Sequence, residues 1–223
     1  MKKNLVWALL AAGFGCAAPA QAQVGLTASV GTGGLGLHAS VPVHPQMHAR
    51  FGVNALNYSY DGSTTNVDYD YRLKLRTFDA LLDYFPNESG LRLSAGVVYN
   101  GNKIDAHGRP TAAGTYRLNG RSYPAATAGT LEGRVDFRNL APYLGVGWGN
   151  PAAKEKGWAF SADLGVLFQG SPRTSLANVG CTAPVLVCTQ LAADVAAENR
   201  ELQDDVNDFK AYPVVRLGVS YRF

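Results

Sequence analysis

The final residues of the chain alternate in character: Ala211, Pro213, Val215, Leu217, Val219, Tyr221 and Phe223 interleave with Tyr212, Val214, Arg216, Gly218, Ser220 and Arg222. A period of two puts each set on one face of a β-strand. Comparable segments lie near 24–31, 35–42, 48–60, 71–85, 90–100, 131–149 and 157–170. The pattern therefore predicts eight strands, with Gly31-Thr32-Gly33-Gly34 as the first turn. Residues 24–42 also fit one long strand with a glycine-rich bend.

The connections are of two sorts. Pro42 to Met47, Pro86 to Gly90 and Gly149 to Gly157 are short, whereas Asp61 to Asp70, Gly101 to Thr130 and Ser171 to Lys210 are long. Bacterial membrane barrels show that asymmetry, with short turns in the periplasm, long loops outside and an even strand number. The predicted fold class is all-β: a membrane-spanning antiparallel up-and-down barrel of eight strands, with a short helix in the last extracellular loop. The Tyr221-Arg222-Phe223 ending, with its aromatic carboxy terminus, resembles the assembly signal of such barrels, so Tyr221 and Phe223 are its candidate residues.

Energy then assigns the faces, because an Arg or Lys facing lipid at mid-membrane costs roughly 2–4 kcal/mol. Trp158, Phe160, Ala162, Leu164, Val166 and Phe168 face lipid, as do Leu91, Leu93, Ala95, Val97 and Tyr99. Two strands change phase. Tyr71, Leu73 and Leu75 give way to Phe78, Ala80, Leu82 and Tyr84, and Phe51, Val53 and Ala55 to Leu56, Tyr58 and Tyr60. Each slip predicts a β-bulge or a point where the strand leaves the bilayer. Aromatics at strand ends, such as Tyr84, Trp148, Trp158 and Tyr212, form two interfacial girdles. A soluble sandwich would bury such rings instead.

Pointing charges inward predicts a lumen lined by Arg50, Arg72, Lys74, Arg76, Arg92, Arg216 and Arg222 with Asp79, Asp83 and Asp163, a predominantly basic set. An interior of eight strands is only wide enough for side chains to fill, so these groups form either a closing ladder of ion pairs or a narrow selective pathway. Residues 131–138 place Glu132, Arg134, Asp136 and Arg138 opposite Leu131, Val135 and Phe137, a charge ladder at the outer rim.

Leu191, Val195, Leu202, Val206 and Phe209 recur at helical spacing, which predicts a helix from Gln190 to Asn207. Its other face carries Asp194, Glu198, Glu201, Asp204, Asp205 and Asp208, a local negative field at the outer mouth. That field would concentrate cations, or meet the divalent cations of lipopolysaccharide.

Lys2 and Lys3 before the apolar run Leu5 to Phe14, ending in Ala20-Gln21-Ala22, have the form of a secretory signal peptide. The expected organisation is residues 1–22 as signal peptide and 23–223 as one barrel domain. Of 20 basic residues, Lys2 and Lys3 leave with the signal, so 18 face 17 acidic ones and the balance implies no nucleic-acid partner. Hydrophobic residues make up 47%, with 25 glycines and 11 tyrosines, a composition suited to strands, turns and interfacial rings. Cys16 lacks the context of lipid attachment, because Gly13 stands where an aliphatic residue is needed. Cys181 and Cys188 remain, and an oxidising compartment predicts a disulfide between them. No cofactor or metal is expected, because no further Cys or His cluster accompanies them.

His38-Ala39-Ser40 faintly resembles the His-x-Ser pair of outer-membrane lipid A deacylases, but those enzymes work from the lipid face and the polar face of this strand is the lumen. No catalytic set is assigned.

Several segments together carry a wider resemblance. Val30-Gly31-Thr32-Gly33-Gly34-Leu35-Gly36, Tyr116-Arg117-Leu118-Asn119-Gly120-Arg121-Ser122-Tyr123, Ala141-Pro142-Tyr143-Leu144-Gly145-Val146-Gly147 and Gln169-Gly170-Ser171-Pro172 occur in order, followed by the acidic helical segment and Tyr212-Pro213-Val214. In this the chain resembles the CarO-type outer-membrane barrels. The resemblance implies an eight-stranded monomer, assembled by the barrel machinery among outer-membrane lipid and lipopolysaccharide, and passage of small solutes, particularly basic amino acids such as ornithine. The alternatives are a non-conducting barrel acting through its loops and a lipid-modifying enzyme. Asn119-Gly120 between Leu118 and Arg121 further predicts a hairpin in the longest loop.

Overall fold

The computed structural model describes residues 24–63, 68–87, 89–111, 113–152 and 156–223. The expected signal peptide and its cleavage near Ala22 lie outside the described residues. The strands are β1 (Gly25–Gly31), β2 (Gly34–His44), β3 (Met47–Ser63), β4 (Asp68–Tyr84), β5 (Leu91–Asn100), β6 (Lys103–Arg109), β7 (Thr115–Leu118), β8 (Arg121–Pro124), β9 (Thr130–Asp136), β10 (Leu140–Trp148), β11 (Gly157–Phe168), β12 (Arg173–Val179) and β13 (Ala211–Arg222). Among the described residues two helices, α1 (Ala125–Ala128) and α2 (Val185–Val206), complete the elements.

Eight strands close a ring in the order β1, β2, β3, β4, β5, β10, β11 and β13, and β13 returns antiparallel to β1. The first hairpin is two strands, joined where Gly31 pairs Gly34. Closure leaves no strand edge unpaired in lipid, which is the condition for a sheet to cross a membrane. Outward-facing Leu26, Leu35, Leu37, Phe51, Val53, Leu93, Leu144, Phe160, Leu164 and Leu217 form the apolar wall. The fold is thus a membrane-spanning antiparallel β-barrel.

Half of the ring continues beyond this wall. The β3–β4 ladder runs unbroken from Met47↔Tyr84 to Ser63↔Asp68, while β6, β9 and β12 add to the upper part of β4 as a rising sheet. On the other half, β1, β2 and β13 stop at the rim. The segment expected as one strand over 131–149 is two, β9 and β10, interrupted at 137–139. The register nevertheless carries through, since Asp136 faces Lys103 and Leu140 faces Tyr99. The interruption is therefore a bend in one pair of staves.

Neither expected phase slip is a bulge, because the β3–β4 register never shifts. What changes is the solvent on each face. Within the bilayer the outer face is greasy and the inner face polar. Above it the outer face carries Arg72, Lys74 and Arg76, and the inner face carries Leu56, Tyr58, Tyr60, Tyr71 and Leu73. Tyr60 stacks on Tyr71 with ring centroids 5.0 Å apart.

Helix α2 spans 22 residues, beginning five residues before the expected start, directly after Pro184. It packs on β12 and β7 above the barrel, where Leu191 and Val195 join Tyr116, Leu118, Tyr123 and Leu131 in an apolar cluster. The β7–β8 hairpin turns through Asn119 at φ 47° and Gly120 at φ 75°. Positive φ at both turn positions is what an Asn-Gly pair supplies. Cys181 and Cys188 are disulfide-bonded and tie the start of α2 to the chain before it.

Candidate functional site

Inward alternation brings charged side chains of both signs into the bore. Arg50 of β3 donates from Nη1 to Asp163 Oδ2 at 3.0 Å and holds Asp83 Oδ2 with Nε at 2.9 Å. Arg92 of β5 reaches the other oxygen of Asp163 at 2.9 Å and donates to the Gly149 carbonyl. Ser94 donates to Asp83 at 2.5 Å. A second tie lies toward the extracellular side, where Arg216 of β13 meets Asp79 of β4 at 3.1 Å. Asn54 donates to the same Asp79 carboxylate at 2.9 Å, and His38 approaches it at 3.5 Å.

These groups are sealed. Arg50, Asp79, Asp83, Arg92, Asp163 and Arg216 are each between 0% and 6% exposed. Val98, Tyr143, Leu167 and Val214 pack as an apolar layer on the extracellular side, with the Arg216 guanidinium 5.7 Å from the Tyr143 ring centre. Gly52 makes room inside, since a Cβ there would stand 2.0 Å from His38 Cδ2. In the ring order, β3 and β11 stand four staves apart in either direction, as do β13 and β4. The pairs Arg50–Asp163 and Arg216–Asp79 therefore span the full bore.

The expected lumen set divides. Arg50, Arg92, Arg216, Asp79, Asp83 and Asp163 meet in this network, with three positive and three negative groups. Arg72, Lys74 and Arg76 do not line the lumen: they stand exposed on the outer face of the rising sheet, where that face has left lipid for water. The expected basic excess in the bore goes with them. Arg222 is half-buried at the periplasmic end of β13. Asn54 and Tyr143 belong to the interior although the sequence singled out neither. Asn54 shares the inward phase of Arg50, while an aromatic such as Tyr143 reads equally as a girdle residue.

The acidic helix face also divides. Glu201, Asp204, Asp205 and Asp208 are exposed, and Glu198 is half-buried with its carboxylate 3.4 Å from the Asn119 amide. Asp194 is not part of the open field: it is buried and bound by Tyr123, Arg121 at 3.1 Å, Asn119 at 3.1 Å and Gln190 at 3.1 Å. The Tyr123 hydroxyl first, then Asn119, Arg121 and Gln190, holds this carboxyl down at about 2 against the opposing effect of burial. On the outer face of the sheet, Lys74 and Arg134 hold Asp105 below the ordinary carboxylate range. His38 and Ser40 point into the barrel, 4% and 0% exposed, away from the lipid face that lipid chemistry requires.

A closed barrel with a charged, balanced and filled bore beneath a folded extracellular cap defines an outer-membrane-type barrel of the smallest size. No protein-family model and no curated protein matches the chain. The fold is that of CarO from Acinetobacter baumannii, whose crystal structure is 24% identical, with a TM-score of 0.56 over 90% of this chain and 98% of that one. The CarO2 crystal structure from the same organism is 21% identical, with a TM-score of 0.57 over 91% and 99%.

Proposed function

We propose that this protein is an outer-membrane barrel of a Gram-negative bacterium whose bore is shut at rest, and which acts through its extracellular sheet and helix. The observation that carries this reading is the pair of ion pairs spanning the bore, Arg50–Asp163 and Arg216–Asp79. Stripping one partner from a buried ion pair costs about 3–5 kcal/mol. Parting a strut without hydrating both of its partners would carry that cost, which favours the closed arrangement at rest. Export through the signal peptide, insertion by the barrel assembly machinery and a monomeric state complete the proposal.

Recording from the purified barrel in planar bilayers tests it. The expected trace is flat at all voltages, and regular unitary steps would overturn the closed reading.

A second reading, a narrow channel for small polar or charged solutes such as basic amino acids, is favoured by Glu201, Asp204 and Asp205 on the exposed face of α2 and by Asp208, which lies just beyond the end of the helix rather than on it. Those carboxylates would raise the local concentration of cations near the mouth. Steps with cation selectivity, lost when the four are changed to Asn or Gln, would establish that reading in place of the first.

A further inference from the structure

On the outer surface of the barrel the apolar wall ends at a line and cations succeed it. Along β4, Phe78, Ala80, Leu82 and Tyr84 face outward, and the next residues of the same face are Arg76, Lys74 and Arg72. At 3.3 Å per residue with strands tilted about 40°, they stand roughly 5, 10 and 15 Å above Phe78. Neighbouring strands extend both rows. Lys74 faces Lys103, which faces Asp136 and, beyond it, Arg173; Arg72 faces Asp105, which faces Arg134.

Six cations thus share these rows with two carboxylates, Asp105 and Asp136. Asp105 is taken by Lys74 at 2.8 Å and Arg134 at 3.0 Å, and Asp136 lies 3.9 Å from Lys103. Among the described residues, no acidic group lies within ion-pair distance of Arg72, Arg76 or Arg173. Like charges directly opposite each other, as Lys74 and Lys103 are, disfavour a sheet unless something anionic lies between them. Higher on the same face carboxylates predominate instead, with Glu132 next above Arg134 and Arg109 bound by both Asp61 and Asp70. The excess is confined to the level just above the acyl chains.

We propose that this face docks the phosphorylated glycolipid headgroups of the outer leaflet, with Arg72, Arg76 and Arg173 as phosphate ligands. The proposal rests on the outer-membrane reading. Guanidinium forks bind phosphate oxygens in pairs, which suits them to this role better than lysines. The surface is continuous with the lipid-facing wall, so outer-leaflet lipids are the molecules it meets. The cations extend roughly 15 Å above the apolar edge, whereas the headgroup region of an ordinary phospholipid bilayer is only about 5–8 Å deep per side. A phosphorylated sugar headgroup fills that height; a single phosphodiester does not.

The test is the thermal unfolding midpoint of the barrel in phosphatidylcholine vesicles, read by heat-dependent gel mobility, with bisphosphorylated lipid A, dephosphorylated lipid A or phosphatidylglycerol added. Folding in phosphatidylcholine alone checks insertion separately from docking. Lipid A is expected to raise the midpoint by several degrees, an effect weakened by salt and lost in Arg72→Gln/Arg76→Gln/Arg173→Gln, while dephosphorylated lipid A leaves it unmoved. An equal rise in the triple variant, or an equal rise with phosphatidylglycerol or dephosphorylated lipid A, would overturn the proposal. Failure to insert in phosphatidylcholine would instead overturn the membrane reading beneath it.

Discussion

Arg50 and Asp163 belong to staves on opposite sides of the ring, yet Nη1 and Oδ2 are 3.0 Å apart. A contact of this kind fixes the shape of the ring as well as filling it, because it ties walls that share no backbone hydrogen bond. Asp163 serves Arg50 and Arg92 together, so its loss leaves two buried guanidinium groups with Asp83 as their one remaining carboxylate.

Asp163→Ala is accordingly expected to lower the free energy of unfolding by about 3–5 kcal/mol, measured by urea titration of the barrel in vesicles. Adding Arg50→Met to it should recover a large part of the loss, because the remaining Arg92 and Asp83 then balance. Equal stability of the single variant and the wild type would show that the strut contributes nothing.

The switch of apolar residues from one face of β4 to the other marks where lipid ends, and substitution can locate that line. Leu164→Lys, on the lipid face, is expected to cost about 2–4 kcal/mol, and Ala177→Lys, exposed on the outer face of the rising sheet opposite Glu132, under about 0.5 kcal/mol. Similar penalties at both positions would place the sheet above the rim in lipid.

That same switch explains what the sequence could and could not tell. The staves were legible because lipid tolerates only one pattern, as in Phe160, Leu164 and Phe168 of β11. Alternation says which residues share a face, but it is silent about the medium each face meets. Charge alone therefore points Arg72, Lys74 and Arg76 inward with Arg92, although the change of phase beside them is the sign that β4 has left the bilayer. The ties across the bore were hidden for another reason, since Arg216 and Asp79 meet only when eight strands close. Asp194 had a local signal: with Leu191 and Val195 at three and four residues' spacing, it lies in the buried stripe of α2. Its partners Arg121 and Tyr123 sit in a distant hairpin that no local pattern connects to it.

Asp194 makes the docking of α2 sensitive to strong acid. Its folded carboxyl is held at about 2, below the ordinary carboxylate value, so ionisation favours the docked state at all pH values above the ordinary range. That contribution is lost as pH falls from roughly 4 towards 2. Cleavage of the cap by an acid-active protease should rise within that window and stay flat above it. Asp194→Asn is expected to loosen the cap at neutral pH and to abolish the rise. A wild-type transition near neutrality would contradict the assignment.

The disulfide should matter to the cap alone. Cys181 and Cys188 are 7 residues apart, and closing so small a loop restricts the unfolded chain by about 2.5 kcal/mol at most on the chain-entropy model. The covalent tie lies between β12 and α2, remote from the ion pairs in the bore, and Cys181 packs against the cluster of Tyr116, Leu131 and Leu191. Reduction, or Cys181→Ser/Cys188→Ser, is therefore expected to speed amide exchange in β7, β8 and α2 while exchange in β1, β2, β11 and β13 stays as slow as before. The heat-dependent gel mobility of the barrel should be unchanged. If reduction lowered the unfolding midpoint of the membrane-spanning staves as well, cap and barrel would have to be one cooperative unit, and the division drawn at the rim would fail.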